Sequence, residues 1–206
     1  MGTMTVRTVA MGTVAMGTVA MGTVAMGAMV MAGWRRGVRM GLLGIVGALV
    51  LAGCASEQTG PTEQPSFYNS MAQPGAKVDA AAAASMISGY RANNGLGAVE
   101  VDPLLMKAAE EQAAAMVRRD KLDHNAGKTF TQRLKASGFP AATGVENISA
   151  GYHTLAEAFS GWRDSPPHKA NMLHKDVTKI GIAAVHAPKS KYKVFWALIL
   201  AAPERR

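Results

Sequence analysis

The chain has 206 residues and a formal net charge of +8 from 22 Lys and Arg against 14 Asp and Glu; four of the cations (Arg7, Arg35, Arg36, Arg39) precede Cys54, where no acid occurs, so the rest is only mildly basic. No run of Lys or Arg is interleaved with aromatics, which excludes nucleic acid as the partner and leaves a weak pull toward anionic headgroups or wall polymers. Cys54 is the single cysteine, so an intrachain disulfide and a thiolate metal cage are both excluded, and stability must come from an apolar core.

Residues 11 to 25 are three copies of Met-Gly-Thr-Val-Ala, and imperfect copies extend the pattern from Met1 to about Val30. A five-residue period matches neither helix nor strand, and the unit is too short for a solenoid. Translation is therefore expected to start at a later Met (Met26, Met29, Met31 or Met40); the alternative is a disordered extension removed with a signal. A basic stretch (Trp34, Arg35, Arg36, Gly37, Val38, Arg39) then precedes an apolar run over residues 41 to 51, followed by Ala52, Gly53 and Cys54. This is the layout of a secretory signal, and its apolar run is shorter than the ~20 residues that span a bilayer. Leu51-Ala52-Gly53-Cys54 resembles the bacterial lipobox. The resemblance implies a diacylglycerol on the Cys54 sulfur, cleavage before it, and a lipid-anchored protein of the cell envelope; the alternative is an unmodified cysteine in a membrane anchor. Ala55 is not an acidic inner-membrane retention residue, so in a cell with two membranes the resemblance points to the outer one. From Ala55 to about Gly75, Ser, Thr, Gln, Pro and Gly dominate without apolar periodicity, which reads as a flexible tether. The expected organisation is thus an extension and signal over 1–53, a tether over 54–76 and one domain over 77–206.

Within that domain, Asp79 is a candidate N-cap for a helix over residues 80 to 93, with Met86, Ile87 and Tyr90 at helical spacing and Gly95 as a stop. Asp102 and Pro103 open a second helix whose buried stripe is Leu104, Leu105, Ala108, Ala109, Ala115 and Met116. Residues 129 to 137 predict a short helix stopped by Gly138. Residues 154 to 162 predict another, with Leu155, Ala158, Phe159 and Trp162 on one face. Ser165 before Pro166 reads first as a helix N-cap and second as a nucleophile. The β-rich runs 179–186 and 192–201, split by Pro188, Lys189 and Ser190, predict an antiparallel hairpin. Helices around a small antiparallel sheet make the fold α+β, not parallel α/β.

Three segments carry polar residues that local structure does not explain: residues 122–125 around His124, residues 144–148 around Glu146, and residues 162–173 around His168. An ordered set of positions then takes shape: Tyr90-Arg91 with Gly95-Leu96, Leu104, Ala108, His124, Arg133, Gly138-Phe139, Gly144 with Glu146-Asn147-Ile148, Trp162, Ser165-Pro166, His168, Asn171-Met172-Leu173, Ile180-Gly181 and Trp196. Over roughly residues 84 to 201 this set resembles the CAP superfamily, also called the SCP domain, of cysteine-rich secretory and pathogenesis-related proteins and many bacterial secreted proteins. The resemblance implies a three-layer α-β-α sandwich with a central antiparallel sheet, and a cleft lined by His124, Glu146 and His168. Many eukaryotic members carry a second Glu three residues after the Trp; Ser165 stands there, so the tetrad is incomplete.

Two imidazoles and a carboxylate could hold Zn²⁺ with a position open for water, His124 and His168 being the expected nitrogen ligands. No His-Glu-x-x-His motif pre-arranges them. The alternatives are hydrogen-bonded structural histidines at 124 and 168, and Glu146 as a loop brace accepting backbone N–H bonds. His153, His174 and His186 have no convergent partners and read as surface residues, whereas Trp162 and Trp196 read as core. Two classes of function follow. The first is a tethered, non-enzymatic module binding a lipid, cell-envelope or metal ligand in the cleft; the second is a metal-assisted or serine-type hydrolase using the same cleft. The absence of a full tetrad and of a nucleophile with an orienting acid favours the first.

Overall fold

A computed structural model describes residues 64 to 204; the repeat, the apolar run and Cys54 lie outside the described residues. Five helices and four strands follow in chain order: α1 (Ala80–Ala92), β1 (Glu100–Val101), α2 (Pro103–Arg119), α3 (Phe130–Ala136), β2 (Ala141–Ala150), α4 (Leu155–Asp164), α5 (Pro166–Met172), β3 (Lys179–Ala187) and β4 (Lys193–Pro203). The caps expected from sequence set the helix starts. The Asp79 carboxylate accepts from the Ala82 N–H, and that of Asp102 accepts from the N–H groups of Leu104 and Leu105 with Pro103 behind it. Thr129 and Thr154 each open a helix through a reciprocal capping box, with Gln132 and Glu157 respectively.

The sheet order is β1-β3-β4-β2. β4 lies between antiparallel partners on both sides, and residues 194 to 202 are buried without interruption, because helices cover both faces as well. Its alternate residues serve two cores. Phe195, Ala197, Ile199 and Ala201 face α2 and α3, whereas Val194, Trp196, Leu198 and Leu200 face α1, α4 and α5. Trp162 and Trp196 meet edge to face in the second core, with centroids 6.4 Å apart, and the Trp196 indole N–H donates to the Tyr152 carbonyl. The three-layer α-β-α sandwich is thereby in place. α2 comes so close to β3 that a Cβ on Gly181 would lie 2.1 Å from the Leu105 carbonyl carbon, so glycine is the residue that permits this layer spacing.

Three features depart from the sequence reading. The sheet is not wholly antiparallel: Glu100 and Val101 pair in parallel with Lys179 and Ile180, across a long connection that runs from α2 through α5. β2, the edge strand that carries Glu146, is not among the strands expected from sequence, since Val145 to Ser149 lack a hydrophobic alternation and are covered on both faces. The end of the expected tether is seated on the domain rather than free. A single 3₁₀ turn over Ser66–Tyr68 precedes a buried Met71, whose N–H donates to the His153 carbonyl at 2.6 Å, and Ser66 Oγ donates to Asp79. The domain therefore starts before Lys77, with Met71 as its first buried core residue and the partly buried Phe67 packed against that core.

Candidate functional site

Glu146 sits in the middle of β2, opposite Ile199 of β4, with its side chain 2% exposed. A carboxylate so placed is tolerated only if its charge is met, and both oxygens are met. Oε1 lies 2.7 Å from His124 Nδ1, and Oε2 accepts a short hydrogen bond from Arg133 Nη2. Arg133 is itself 1% exposed and uses Nη1 to donate to the carbonyls of His124 and Lys128, so one guanidinium holds both the carboxylate and the loop that carries His124. Glu146 is thus not a loop brace, because its partners are an imidazole and a guanidinium rather than backbone N–H groups.

His168 belongs to α5, which α1 and β2 hold in place. Asn171 Nδ2 donates to the Glu146 carbonyl and to Asn147 Oδ1, and Asn147 Nδ2 donates to the His168 carbonyl. Beneath the end of α5, the buried Arg91 donates to the carbonyls of Gly97, Met172, His174 and Val177 at 2.8 to 3.0 Å. Ser165 is the N-cap residue of α5 by position, yet its hydroxyl makes no cap bond and lies 2.9 Å from His168 Nδ1. The cap reading of this side chain is therefore corrected: the turn through Pro166 and Pro167 brings residues three apart into contact. Burial first, and the neighbouring His124 second, push the His168 imidazole below its ordinary value of 6.5, so it is neutral at pH 7.

His168 lies within electrostatic reach of His124, with Glu146 behind His124 and Ser165 behind His168. The Nδ1 of each ring is engaged, and neither Nε2 has a hydrogen-bond partner among the described residues. A three-ligand metal site including Glu146 is not formed. Both carboxylate oxygens are committed, and among the described residues no three His, Cys, Asp or Glu gather to hold a metal. Two imidazole nitrogens remain as donors.

Arg133 is the functional residue the sequence reading undervalued. The signal was present: it shares the apolar face of α3 with Phe130 and Leu134, and a guanidinium on a buried face demands a buried acid. His153, His174 and His186 take no part in this cluster.

The family model for CAP, the cysteine-rich secretory protein family, matches residues 84 to 200. The chain belongs to this family. The CAP match takes in every residue of the cluster. In the curated proteins, the chain is 30% identical over 100 residues to the uncharacterized protein YkwD of Bacillus subtilis, a match covering 47% of this chain and 38% of that one. The chain thus spans well under half the length of that relative. In fold it is similar to an extracellular protein containing an SCP domain from Bacillus anthracis (TM-score 0.52, 19% identity, 59% of this chain and 39% of that one). It is also similar to an outer surface protein of Borrelia burgdorferi (TM-score 0.54, 23% identity, 63% of this chain and 98% of that one). Among the described residues no helix is long and apolar enough to cross a membrane.

Proposed function

We propose that this CAP protein is an envelope lipoprotein, exported by its signal, anchored through Cys54, and acting as a binding module through the cleft between His124 and His168. The allocation of Glu146 supports this reading. Its charge is spent on holding His124 Nδ1 and Arg133, which orients the ring and leaves Nε2 as the available nitrogen. A carboxylate bound in this way is not a free general base. The names of two structural neighbours, an extracellular and an outer surface protein, agree with export.

Zn²⁺ at this place would be held by His124 and His168 alone, one protein ligand fewer than catalytic zinc sites ordinarily have, with the remaining positions filled by water or by the ligand. Bound there, the ion would supply a Lewis-acid charge for an anionic or carbonyl oxygen of the ligand. Glu146 and Ser165 would position the two rings without touching the metal. Calorimetry of the purified chain with Zn²⁺ at pH 7.5 is the test. One ion should bind, and His124→Ala or His168→Ala should abolish the heat; binding that survives both substitutions refutes the site.

A second reading is favoured by one contact, Ser165 Oγ to the neutral His168 at 2.9 Å, which pairs a hydroxyl with a base. It predicts stoichiometric labelling of Ser165 by an organophosphonate. An unlabelled serine leaves the binding module as the account.

A further inference from the structure

One end of the sheet gathers positive charge that the cleft does not use. The turn between β3 and β4 carries Lys189, Lys191 and Lys193, all exposed. The last turn of α2 brings Arg118 and Arg119 to the same place, followed by Lys121. A hollow of about 270 Å³ joins the two elements, lined by Val117 and Asp120 on one side and residues 187 to 190 on the other. The acids at this end are Asp120, which lines the hollow, Asp123, which is paired with Lys121 at 3.1 Å, and Glu157, which accepts from the His153 N–H where the chain enters. Arg118, Arg119, Lys189 and Lys191 form no ion pair among the described residues. The turn itself is braced, because Lys193 adopts a left-handed backbone (φ 64°) and its Nζ donates to the Pro188 carbonyl. Lys191 Nζ lies 4.9 Å from the centre of the Tyr192 ring.

A second observation concerns where the chain enters the domain. Met71 is hydrogen-bonded to His153, just beyond the end of β2, and the neighbouring Gly151 N–H donates to Val194 at the start of β4. The polypeptide arriving from Cys54 therefore joins the domain at the sheet end that bears the basic turn. Nine residues lie between Cys54 and Gln64, so the two are at most about 35 Å apart when the chain is fully extended.

We infer that this basic end, formed by the β3–β4 turn and the C-terminus of α2, docks on an anionic lipid surface and seats the domain there, with Glu146 and the cleft lying part-way along β2. The membrane is favoured over a soluble polyanion because the chain enters at the charged end, an orientation that rests on the lipid-anchor reading. Attraction between basic side chains and anionic headgroups acts within a Debye length, about 8 Å at physiological salt, so the contact must be close and salt-sensitive.

The test uses the unlipidated mature chain, residues 54 to 206 carrying Cys54→Ser, so that neither an acyl chain nor the apolar run of the signal contributes. Its sedimentation with phosphatidylcholine vesicles containing about 30% phosphatidylglycerol is compared with that of the same chain bearing R118Q, R119Q, K189Q and K191Q. The four substitutions should weaken partitioning by at least about tenfold at low salt, and the two chains should behave alike on pure phosphatidylcholine. Amide exchange in residues 187 to 193 should slow only on the anionic vesicles, and thermal melting should show that the variant is folded. Equal partitioning of the two chains on anionic vesicles overturns the proposal. So does a parent chain that binds soluble polyglycerol phosphate through these residues but gains nothing from phosphatidylglycerol. Fatty-acid labelling of Cys54 in cells reports separately on the anchor, so the two failures are distinguishable.

Discussion

Arg133→Met tests the site's construction most severely. The guanidinium is 1% exposed and faces a carboxylate that is 2% exposed, so its removal leaves the Glu146 charge buried with only His124 beside it. Breaking a buried pair by deleting one partner costs about 3–5 kcal/mol, and the carbonyls of His124 and Lys128 lose their donor in the same step. At roughly 3 °C per kcal/mol for a domain of this size, the melting temperature should fall by about 10–15 °C. The double variant Arg133→Met, Glu146→Met removes both charges and should be no less stable than the single variant, because the uncompensated carboxylate is what costs most. Urea denaturation of the two single variants, the double variant and the parent gives the coupling directly. A loss below about 1 kcal/mol for Arg133→Met, or additive effects in the cycle, would falsify the view that this pair is the buried foundation of the His124 side of the cluster.

The remaining expectations concern pH, packing and processing. His168 has a folded value below its unfolded 6.5, so the stability it contributes is full above about pH 6.5 and is lost as pH falls through the folded value; His168→Gln should flatten the stability profile below about pH 6.5, and an unchanged slope would remove His168 as its cause. Gly181→Ala drives a Cβ into the backbone at Leu105 and should cost at least about 1–3 kcal/mol by thermal melting; a neutral effect would mean that α2 is free to lift from the sheet. Cys54→Ser should abolish incorporation of labelled fatty acid in cells and leave the protein soluble or unprocessed, whereas a wild type that takes up no label contradicts the anchor.

The elements that announced themselves in sequence are those whose local chemistry and burial agree. Asp102-Pro103 before an amphipathic run, the short helices after Thr129 and Thr154, and the apolar hairpin all formed where expected, although Leu104, expected in the buried stripe of α2, is exposed. β2 hid because both of its faces are covered from Val145 to Ser149, so no period of two survives there. Phe67 and Met71 were lost among the polar residues around them, although each finds an apolar partner once α1 and α4 are in place. In the site, residue types pointed to His124, Glu146 and His168, but their division of labour depended on contacts between residues far apart in the chain. Arg133 decides that Glu146 is a brace for an imidazole, and the Pro166-Pro167 turn decides that Ser165 meets His168.

The central claim is that the two imidazoles offer their Nε2 atoms as one binding site while their Nδ1 atoms are held from behind. Heteronuclear NMR of the ¹⁵N-labelled imidazoles during a Zn²⁺ titration at pH 7.5 reads this directly. His124 and His168 should each show a metal-induced shift at Nε2, in step and saturating at one equivalent, with Nδ1 of His124 remaining protonated toward Glu146. Signals that stay unmoved through the titration, or a shift confined to His153, His174 or His186, would contradict the account.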